Sequence, residues 1–315
     1  MSAAARASRK WIWVGTGLAV AGAAYLLKFG PGQKMVLETK PSGDQSKAAA
    51  APDALDPNAF RKFKLADIKK YNHNTNVFTF AFDDPKAKYN GKTASCVVFK
   101  ADVNGKDEIR PYTPISRPNT IGQLEFVIKN YPQGVMSKHV HEMKKGDSIE
   151  IKGPIPKYPY EPNKFQQLGL IAGGTGITPM IQMIEEVLFN PDDKTKVTLL
   201  FANTTTDDIL LKEDIDKLAQ KYPDRFKVHY TVDKLADKNA KKAWKGEVGY
   251  ITPDMLKRLI PIPAKQDDES LLIMVCGPPG FMKLLSGEKT KDYKQGELTG
   301  LLKKLGFTEK NVFKF

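Results

Sequence analysis

Two short turns carry residues whose types and spacing could do chemistry, and the first is the stretch 170–179, LIAGGTGITP. An apolar run leads into three glycines, and Pro179 then opens a predicted helix. Glycine lets the backbone approach a phosphate closely, while the N–H groups and dipole of a helix start favour an anion. The spacing departs from the usual dinucleotide pattern, because Gly176 is followed by Pro179 and not by a further glycine. The stretch therefore indicates either a nucleotide-binding loop or a simple tight turn between a strand and a helix.

The second turn is 275–282, VCGPPGFM, which also ends an apolar stretch and starts a predicted helix. Its Cys276 would lie at the carboxyl end of a strand, where parallel sheets bind their ligands. A small buried thiol is the alternative, since cysteine is common in protein cores. The two prolines after Gly277 favour the first interpretation, because they fix a rigid turn.

A third group, RPYTPIS at 110–116, closes a predicted strand in the first half of the chain. Arg110 offers a planar fork of donors that can hold a pyrophosphate, and Tyr112 offers a ring that can stack on a flat heterocycle. The hydroxyl of Thr113 can donate or accept a hydrogen bond. Alternatively, this stretch forms only a corner at the end of an edge strand and binds no ligand. The segment 134–137, GVMS, opens the only helix predicted in this half, so its N–H groups form a second candidate phosphate cradle.

These groups need elements that position them, and the segment 60–153 is typical of a small β-barrel. Its β-rich stretches are short and are bounded by Gly, Asn, Asp or Pro. Six such strands with one short helix indicate a small barrel. The predicted strands are 62–71, 76–83, 93–103, 108–116, 123–131 and 147–153, and the predicted helix is 136–143.

After Pro162 strands alternate with helices, which predicts a parallel sheet with helices on both faces. Such sheets bind ligands beyond the carboxyl ends of their strands. The fold class is thus a β-barrel plus an α/β domain, with expected bounds of 59–165 and 166–315. The predicted strands are 167–172, 196–203, 226–233, 270–276 and 311–315, and the predicted helices are 179–189, 207–222, 253–259, 279–285 and one near Leu301.

The amino-terminal segment 1–32 is predicted to be a membrane anchor or targeting segment. Its stretch 11–27 contains no charge over 17 residues, Lys28 closes the run, and aromatic residues lie near both ends. A signal anchor is favoured, while a cleaved secretory signal and a mitochondrial targeting element with an apolar stop are the alternatives. The segment 33–58 is rich in Pro, Ala, Ser, Lys and Asp, which predicts a flexible linker.

Composition and charge narrow the classes of protein that fit. The chain has 315 residues and only two cysteines, which excludes a disulfide scaffold and a metal or iron–sulfur site built on four cysteines. The four histidines match no zinc-protease pattern, so no metal site is predicted. The net charge is +13, of which +5 lies in the first 40 residues. A basic body can bind an acidic partner, but no nucleic-acid motif accompanies the charge, so no nucleic acid is expected.

The motifs together resemble those of the ferredoxin reductase-like flavoenzymes, and most closely those of the NADH–cytochrome b5 reductases. The similarity covers 60–315 and rests on the ordered set RPYTP, GVMS, GGTGITP, CGPP and a terminal VFKF. The amino-terminal segment resembles the anchor of the fungal mitochondrial form. The resemblance implies an FAD-binding six-stranded antiparallel barrel, followed by a parallel-sheet NAD-binding domain.

The resemblance also implies roles for individual residues. Arg110 would hold the flavin phosphates, and Thr113 would bond the flavin edge. Thr113, Thr178 and Cys276 are the candidate catalytic residues. Asp233 would repel a 2′-phosphate, which favours NADH over NADPH. The implied cofactor contacts are Arg110, Pro111, Tyr112, Thr113, Val127, Lys129, Tyr131, Gly134, Val135, Met136, Ser137, Gly173, Gly174, Thr175, Gly176, Thr178, Pro179, Phe201, Asn203, Asp233, Cys276, Gly277, Pro278, Met282 and Phe315.

The activity that the resemblance implies is hydride transfer from NADH to FAD, followed by release of single electrons to cytochrome b5 or a similar acidic haem protein. One departure is Val135, where the family often has a lysine, so one cation near the flavin phosphates or at the acceptor surface is absent. Two alternatives are a related flavin reductase with a quinone or other haem domain as acceptor, and a tethered binding protein with degenerate cofactor sites. The body is expected to be monomeric. The expected location is the mitochondrial outer membrane, with a processed form in the intermembrane space.

Overall fold

The computed structural model of this chain describes residues 51–235 and 243–315. The predicted anchor 1–32 and the linker up to residue 50 lie outside the described residues. Within the described ranges, no helix is both long enough and apolar enough to cross a membrane. The segment Ala49–Phe315 groups as one compact unit and contains two sheets.

The first sheet is antiparallel and is built from β1 (Arg61–Lys70), β2 (Thr75–Ala81), β3 (Ser95–Val103), β4 (Lys106–Tyr112), β5 (Gln123–Lys129) and β6 (Ser148–Pro156). Its strand order is β4-β3-β6-β1-β2-β5. The two edges meet just beyond β4, where the N–H of Ile115 donates to the carbonyl of Glu125 at 2.9 Å. The sheet therefore curls into a barrel, and the helix α1 (Val135–Glu142) lies between β5 and β6 in the chain. This confirms the predicted six-stranded architecture.

Aromatic rings fill the barrel, because alternate residues of each strand point inward. Phe80, Phe99 and Phe126 are almost fully buried. Their rings meet edge to face, with centroids 4.9 to 5.9 Å apart. The ring of Tyr112 extends the cluster at 4.7 Å from Phe99. The core thus fixes the end of β4, which carries the RPYTP motif.

The second sheet is parallel and contains β7 (Gln167–Gly173), β8 (Lys196–Asn203), β9 (Phe226–Val232), β10 (Glu247–Val248), β11 (Leu271–Cys276) and β12 (Val312–Lys314). Its described helices are α2 (Ile177–Phe189), α3 (Lys212–Lys221), α4 (Pro253–Leu259), α5 (Pro279–Leu285) and α6 (Gly300–Lys304). Neighbouring residues of β7 face opposite apolar clusters: Leu170 packs with residues of α2 and α3, and Ile171 with residues of α4, α5 and α6. The predicted arrangement of helices on both faces is therefore confirmed.

The strand order of this sheet is β10-β9-β8-β7-β11-β12. The chain proceeds from β7 through β8 and β9 to one edge, and then returns to β11 on the other side of β7. A crevice forms beyond the carboxyl ends of strands where the order reverses, and open α/β sheets bind ligands there. The GGTGITP turn after β7 and Cys276 of β11 both lie at this point.

The helix predicted at 207–222 is wrong in its first part. Thr206–Asp208 form a 3-10 turn, and α3 begins only at Lys212. Between them Leu211 adopts a left-handed conformation with φ 56°. The N–H of Leu211 donates to the hydroxyl of Tyr71 in the barrel at 2.7 Å. A partner distant in sequence therefore interrupts a locally helical pattern.

Helix α2 is bonded directly to the barrel. The side-chain oxygen of Gln182 accepts from the N–H of Ser95 at 3.2 Å, and its nitrogen donates to the carbonyl of Pro114 at 2.9 Å. Arg117 donates two hydrogen bonds to Glu185, at 2.9 and 3.1 Å. These bonds fix the two walls of the space between the barrel and the second sheet.

Candidate active site

A cleft of about 820 Å³ lies between the barrel and the carboxyl edge of the parallel sheet. Cofactor pockets have volumes in this range. The end of β4, the start of α1, the glycine turn and the Cys276 turn meet there, although they are far apart in sequence. Of the predicted cofactor contacts, the cleft is lined by Arg110, Pro111, Tyr112, Thr113, Val127, Lys129, Tyr131, Gly134, Val135, Met136, Ser137, Thr175, Gly176, Thr178, Pro179, Cys276, Gly277, Pro278 and Phe315.

Other predicted contacts lie outside the lining of this cleft. The side chain of Phe201 is fully buried and packs in the core of the parallel sheet. The side chain of Met282 packs in the cluster on the other face. Both residues therefore support the strands and helices of the site without offering a surface to the cleft. The predicted contacts outside the lining are Gly173, Gly174, Phe201, Asn203, Asp233 and Met282.

Asn203 and Asp233 lie side by side at the carboxyl ends of β8 and β9, where the N–H of Asp233 donates to the carbonyl of Asn203 at 2.9 Å. The side chain of Asn203 is 6% exposed, and its amide has no hydrogen-bond partner among the described residues. A buried amide without a partner costs stability. Burial raises the pKa of Asp233, and the nearby carboxylate of Asp208 raises it further. This edge thus offers polar groups that a bound ligand could satisfy.

The glycine turn follows β7 directly. A Cβ at Gly176 would lie 2.2 Å from the carbonyl oxygen of Cys276, so only glycine allows this close approach of the two turns. Gly174 has φ +53° and open space where a Cβ would stand. The hydroxyl of Thr178 donates to the carbonyl of Thr175 at 3.1 Å, which fixes the first turn of α2. The turn brings Thr175 and Gly176 to the lining of the cleft at the start of a helix, where an anion is favoured.

Cys276 ends β11 and lies beside Ala172 of β7 in the sheet register. Burial raises the pKa of the Cys276 thiol to about 12, so the thiol is protonated at neutral pH. A protonated thiol is a poor nucleophile. The structure therefore supports a positioning contact at Cys276 better than covalent catalysis.

The barrel wall presents the RPYTP motif at the end of β4. The guanidinium of Arg110 is half exposed and forms an ion pair with Glu108. Burial raises the pKa of Tyr112 to about 12, so its phenol is neutral and its ring is held by Phe99. Thr113 follows with its side chain on the cleft. A cation, a fixed aromatic ring and a hydroxyl therefore line one wall in the predicted order.

The start of α1 has the features of an anion cradle. Gly134 is the N-cap, no side chain caps the helix, and its first turn contains no acidic residue. The hydroxyl of Ser137 donates to the carbonyl of Gly134 at 3.0 Å and accepts from the N–H of Tyr131 at 3.2 Å. The hydroxyl of Tyr131 forms a further hydrogen bond of 2.9 Å with that of Thr175, across the cleft. Uncapped N–H groups near the helix dipole favour a phosphate.

The charge of the cleft lining fits FAD together with NADH. Each of these dinucleotides carries a pyrophosphate, and the residues that line the cleft include four cations but no Asp or Glu. Arginine and lysine are the usual side-chain partners of phosphate. The four cations are Arg110, Lys129, Lys157 and Lys289.

Sequence reasoning missed some residues of the lining. Gln133 and Pro279 are next to recognised motifs and could have been included on that ground. Lys157 and Lys289 carry no local signal, because only the tertiary fold brings them to the cleft. The missed residues are Cys96, Ile128, Gln133, Lys157, Pro279, Lys289, Thr290 and Tyr293.

The fold and the cleft together define an FAD- and NAD-dependent oxidoreductase. Family models agree: residues 62–160 match the oxidoreductase FAD-binding domain, and residues 170–286 match the oxidoreductase NAD-binding domain.

Known proteins narrow this class to one family. A "NADH-cytochrome b5 reductase-like protein" of Arabidopsis thaliana is 46% identical over 86% of this chain and 82% of its own length. "NADH-cytochrome b5 reductase 2" of Mycosarcoma maydis is 46% identical over 88% of this chain and 78% of its own. The cytochrome b5 reductase domain of Ulva prolifera nitrate reductase has a TM-score of 0.71 and 29% identity, and the match covers 84% of this chain and all of that one. The chain belongs to the NADH–cytochrome b5 reductase family.

Proposed function

We propose that this protein takes electrons from NADH onto FAD and passes them singly to a cytochrome b5-type haem protein. The observation that carries the proposal is that the RPYTP motif of the barrel and the two turns of the parallel sheet line one cleft. A cofactor on each wall would bring two flat rings together between Thr113 and Cys276. When bound, FAD would supply the chemistry that takes two electrons from NADH and gives them up one at a time.

The protein's own residues bind and orient in this scheme. The barrel wall would hold the flavin: Arg110 and the start of α1 would bind its phosphates, Tyr112 would stack on its ring, and Thr113 would bond its edge. On the opposite wall the glycine turn holds the nicotinamide nucleotide. Cys276 and Thr178 fix the nicotinamide against the flavin. Because both Tyr112 and Cys276 are neutral at pH 7, neither adds charge to the space between the rings.

Anaerobic absorption spectra of the purified full-length chain test the cofactor assignment. We expect a flavin spectrum that NADH bleaches rapidly and NADPH bleaches much more slowly. Equal bleaching by the two nucleotides would remove the role proposed for Asp233. A chain that takes up no FAD, even after incubation with an excess, would overturn the enzyme assignment.

The acceptor is proposed to be an acidic haem protein. The net charge of the whole chain is +13, and +8 of it belongs to residues 41–315. A basic body attracts an acidic partner over long range. Steady-state assays that compare purified cytochrome b5 with a quinone test this choice, and a larger kcat/KM for the quinone would favour the alternative acceptor.

We also propose that the uncharged stretch 11–27 anchors the protein in the mitochondrial outer membrane as a monomer. A processed form without this stretch would then occur in the intermembrane space. Carbonate extraction and protease protection of purified mitochondria test the location, and sedimentation of the detergent-solubilised chain tests the oligomeric state. A full-length chain that carbonate releases would contradict the anchor.

A further inference from the structure

Lys157 and Lys289 reach the cleft from opposite sides, and the function proposed above gives neither of them a role. Lys157 directly follows β6 on the barrel side. Lys289 is half-buried and lies in the segment 287–298, between α5 and α6. Within the ranges 51–235 and 243–315, neither ammonium forms an ion pair. The other two cations of the lining, in contrast, are paired with Glu108 and Asp208.

On the barrel wall, the strand register places Lys157 near Thr113. The last register pair of β3 and β4 joins Val97 to Tyr112, the residue before Thr113, and Cys96 and Thr113 both line the cleft. The N–H of Lys157 donates to the carbonyl of Ala94 at 2.8 Å, just before β3 begins. Lys157 is therefore attached to the same end of the barrel as the predicted flavin-edge contact.

On the sheet wall, the register places Lys289 near Cys276. Val275 of β11 is opposite Lys314 of β12, and the N–H of Phe315 donates to the carbonyl of Val275 at 3.0 Å, so Cys276 and Phe315 are neighbours. The ammonium of Lys289 lies over the ring of Phe313, 5.8 Å from its centroid. Lys157 thus lies on the wall that carries Thr113, and Lys289 lies on the wall that carries Cys276.

A buried lysine of β12 holds the segment that carries Lys289. Lys314 is 2% exposed, and its ammonium donates to the carbonyl of Glu297 at 2.7 Å and to those of Glu288 and Gly296 at 3.4 Å. Its backbone exchanges two further bonds with the side chain of Gln295, at 2.7 and 2.9 Å. Since Glu288 precedes Lys289, the position of the Lys289 backbone is fixed to the sheet.

The two ammonium groups are placed where a negative charge would stabilise them. Burial lowers the pKa of Lys289, and the like charge of Lys157 lowers it further. The pyrophosphates already have two other cradles, the start of α1 and the glycine turn. With the phosphates held at those two cradles, Lys157 and Lys289 are free to meet negative charge on another part of a ligand.

We propose that Lys157 and Lys289 form a two-lysine subsite for the negative charge that the isoalloxazine ring of FAD gains on reduction. This inference rests on the proposed function. NADH transfers a hydride, two electrons with one proton, to the neutral ring and leaves as NAD⁺. The reduced ring then carries one negative charge, which the two ammonium groups attract. A cation near the ring stabilises the reduced form more than the oxidised form, so the reduction potential of bound FAD rises.

Reduction potentials of the FAD-loaded full-length chain test this subsite, measured by equilibration with a reference dye. Lys157→Gln and Lys289→Gln should each lower the reduced-to-oxidised ratio at a fixed dye potential by about tenfold, a shift of about 30 mV for a two-electron couple. The double variant should shift further. Lys157→Arg and Lys289→Arg keep the charge and should restore most of the shift. Lys294→Gln is the matched control, because Lys294 belongs to the same segment but is 80% exposed and pairs with Asp292.

Flavin content, measured alongside, separates the outcomes. Glutamine variants that keep FAD and show the wild-type potential would overturn the subsite while leaving the proposed function intact. Variants that lose FAD while any residual flavin keeps its potential would also overturn it, because the lysines would then serve the phosphates. Wild-type protein that binds no FAD would overturn the proposed function itself, which is a separate result.

Discussion

At the scale of single residues, the role expected for Cys276 follows from its position and from the protonation state of its thiol. The close contact between its carbonyl and Gly176 fixes its backbone, and burial keeps its thiol neutral. We expect Cys276→Ser to retain FAD and to slow flavin reduction by NADH by roughly tenfold to a hundredfold, the size expected for a small misplacement of reacting groups. Stopped-flow measurement under anaerobic conditions, with flavin content as the control, gives this rate. An unchanged rate would remove Cys276 from the positioning role.

Asp233 is the residue expected to decide between the two nicotinamide nucleotides. Its carboxylate lies at the carboxyl end of β9 next to Asn203, whose amide has no partner within 51–235 and 243–315, and a 2′-phosphate there would meet a like charge. Asp233→Ser should raise kcat/KM for NADPH by about tenfold or more relative to that for NADH. The substitution removes the repulsion between the Asp233 carboxylate and the 2′-phosphate of NADPH. Glu269→Ser is a suitable control, since Glu269 is exposed near the amino end of β11, away from the ligand edge. The same ratio in both variants would contradict the assignment.

At the scale of elements, the ion pair between Lys129 of β5 and Asp208 of the 3-10 turn joins the barrel to the sheet. The two groups are 3.0 Å apart, and the side chain of Asp208 is 7% exposed. Thr205 donates to the same carboxylate through both its hydroxyl and its N–H, at 2.7 and 3.2 Å. Burial raises the pKa of Asp208, but the hydrogen bonds from Thr205 and Lys129 outweigh it and hold the pKa below its usual range.

This pair predicts a specific loss of stability in acid. A carboxyl group with a lowered folded-state pKa stabilises the fold fully above its unfolded pKa of about 3.9, and this stabilisation is lost as the pH falls through the folded value. Asp208→Asn should therefore reduce the free energy of unfolding by about 1–3 kcal/mol at pH 7 and by progressively less as the pH falls through the lowered pKa of Asp208. Urea denaturation at pH 7 and at a series of acidic pH values measures this. Asp207→Asn is the control, since Asp207 is exposed, and equal losses for both variants would contradict the prediction.

The same elements show what local sequence could and could not predict. The strand Lys196–Asn203 and the helices Pro253–Leu259 and Pro279–Leu285 have the predicted bounds, because apolar runs and an initial proline are local signals. The break at Leu211 depends on Tyr71, 140 positions away, and the Lys129–Asp208 pair spans 79 positions. Contacts of that kind follow from the packing of the barrel on the sheet, which no local pattern encodes.

The residues of the candidate site also differ in whether local sequence could predict them. The glycine turn, the RPYTP motif and Cys276 could be predicted, because each combines a strand end with residues suited to a phosphate or a ring. Lys289 could not be predicted from local sequence. Its place in the cleft depends on the buried ammonium of Lys314, which donates to backbone carbonyls of the segment that carries Lys289. A lysine in a polar segment looks like a surface residue until the tertiary structure shows what holds it.

At the scale of the whole molecule, the net charge predicts which kind of electron acceptor the protein attracts, which no single residue predicts. The chain carries +13, and an acidic haem protein should therefore be attracted before contact. Screening shortens the reach of this attraction from about 30 Å at 0.01 M salt to about 3 Å at 1 M. We expect kcat/KM for an acidic cytochrome b5 to fall by at least about tenfold over this range, because steering raises association rates by 10–10³.

The comparison that isolates this effect uses one enzyme preparation and two acceptors. A neutral quinone is not steered, so its kcat/KM should change far less with salt than that of the haem protein, whereas the binding of anionic NADH is common to both assays. If both acceptors lose activity in parallel, the salt acts on the nicotinamide nucleotide or on the fold, and the basic surface is not a docking surface. A loss confined to the haem protein means that the charge of the body serves the encounter with the acceptor, while the cleft cations serve the cofactors inside it.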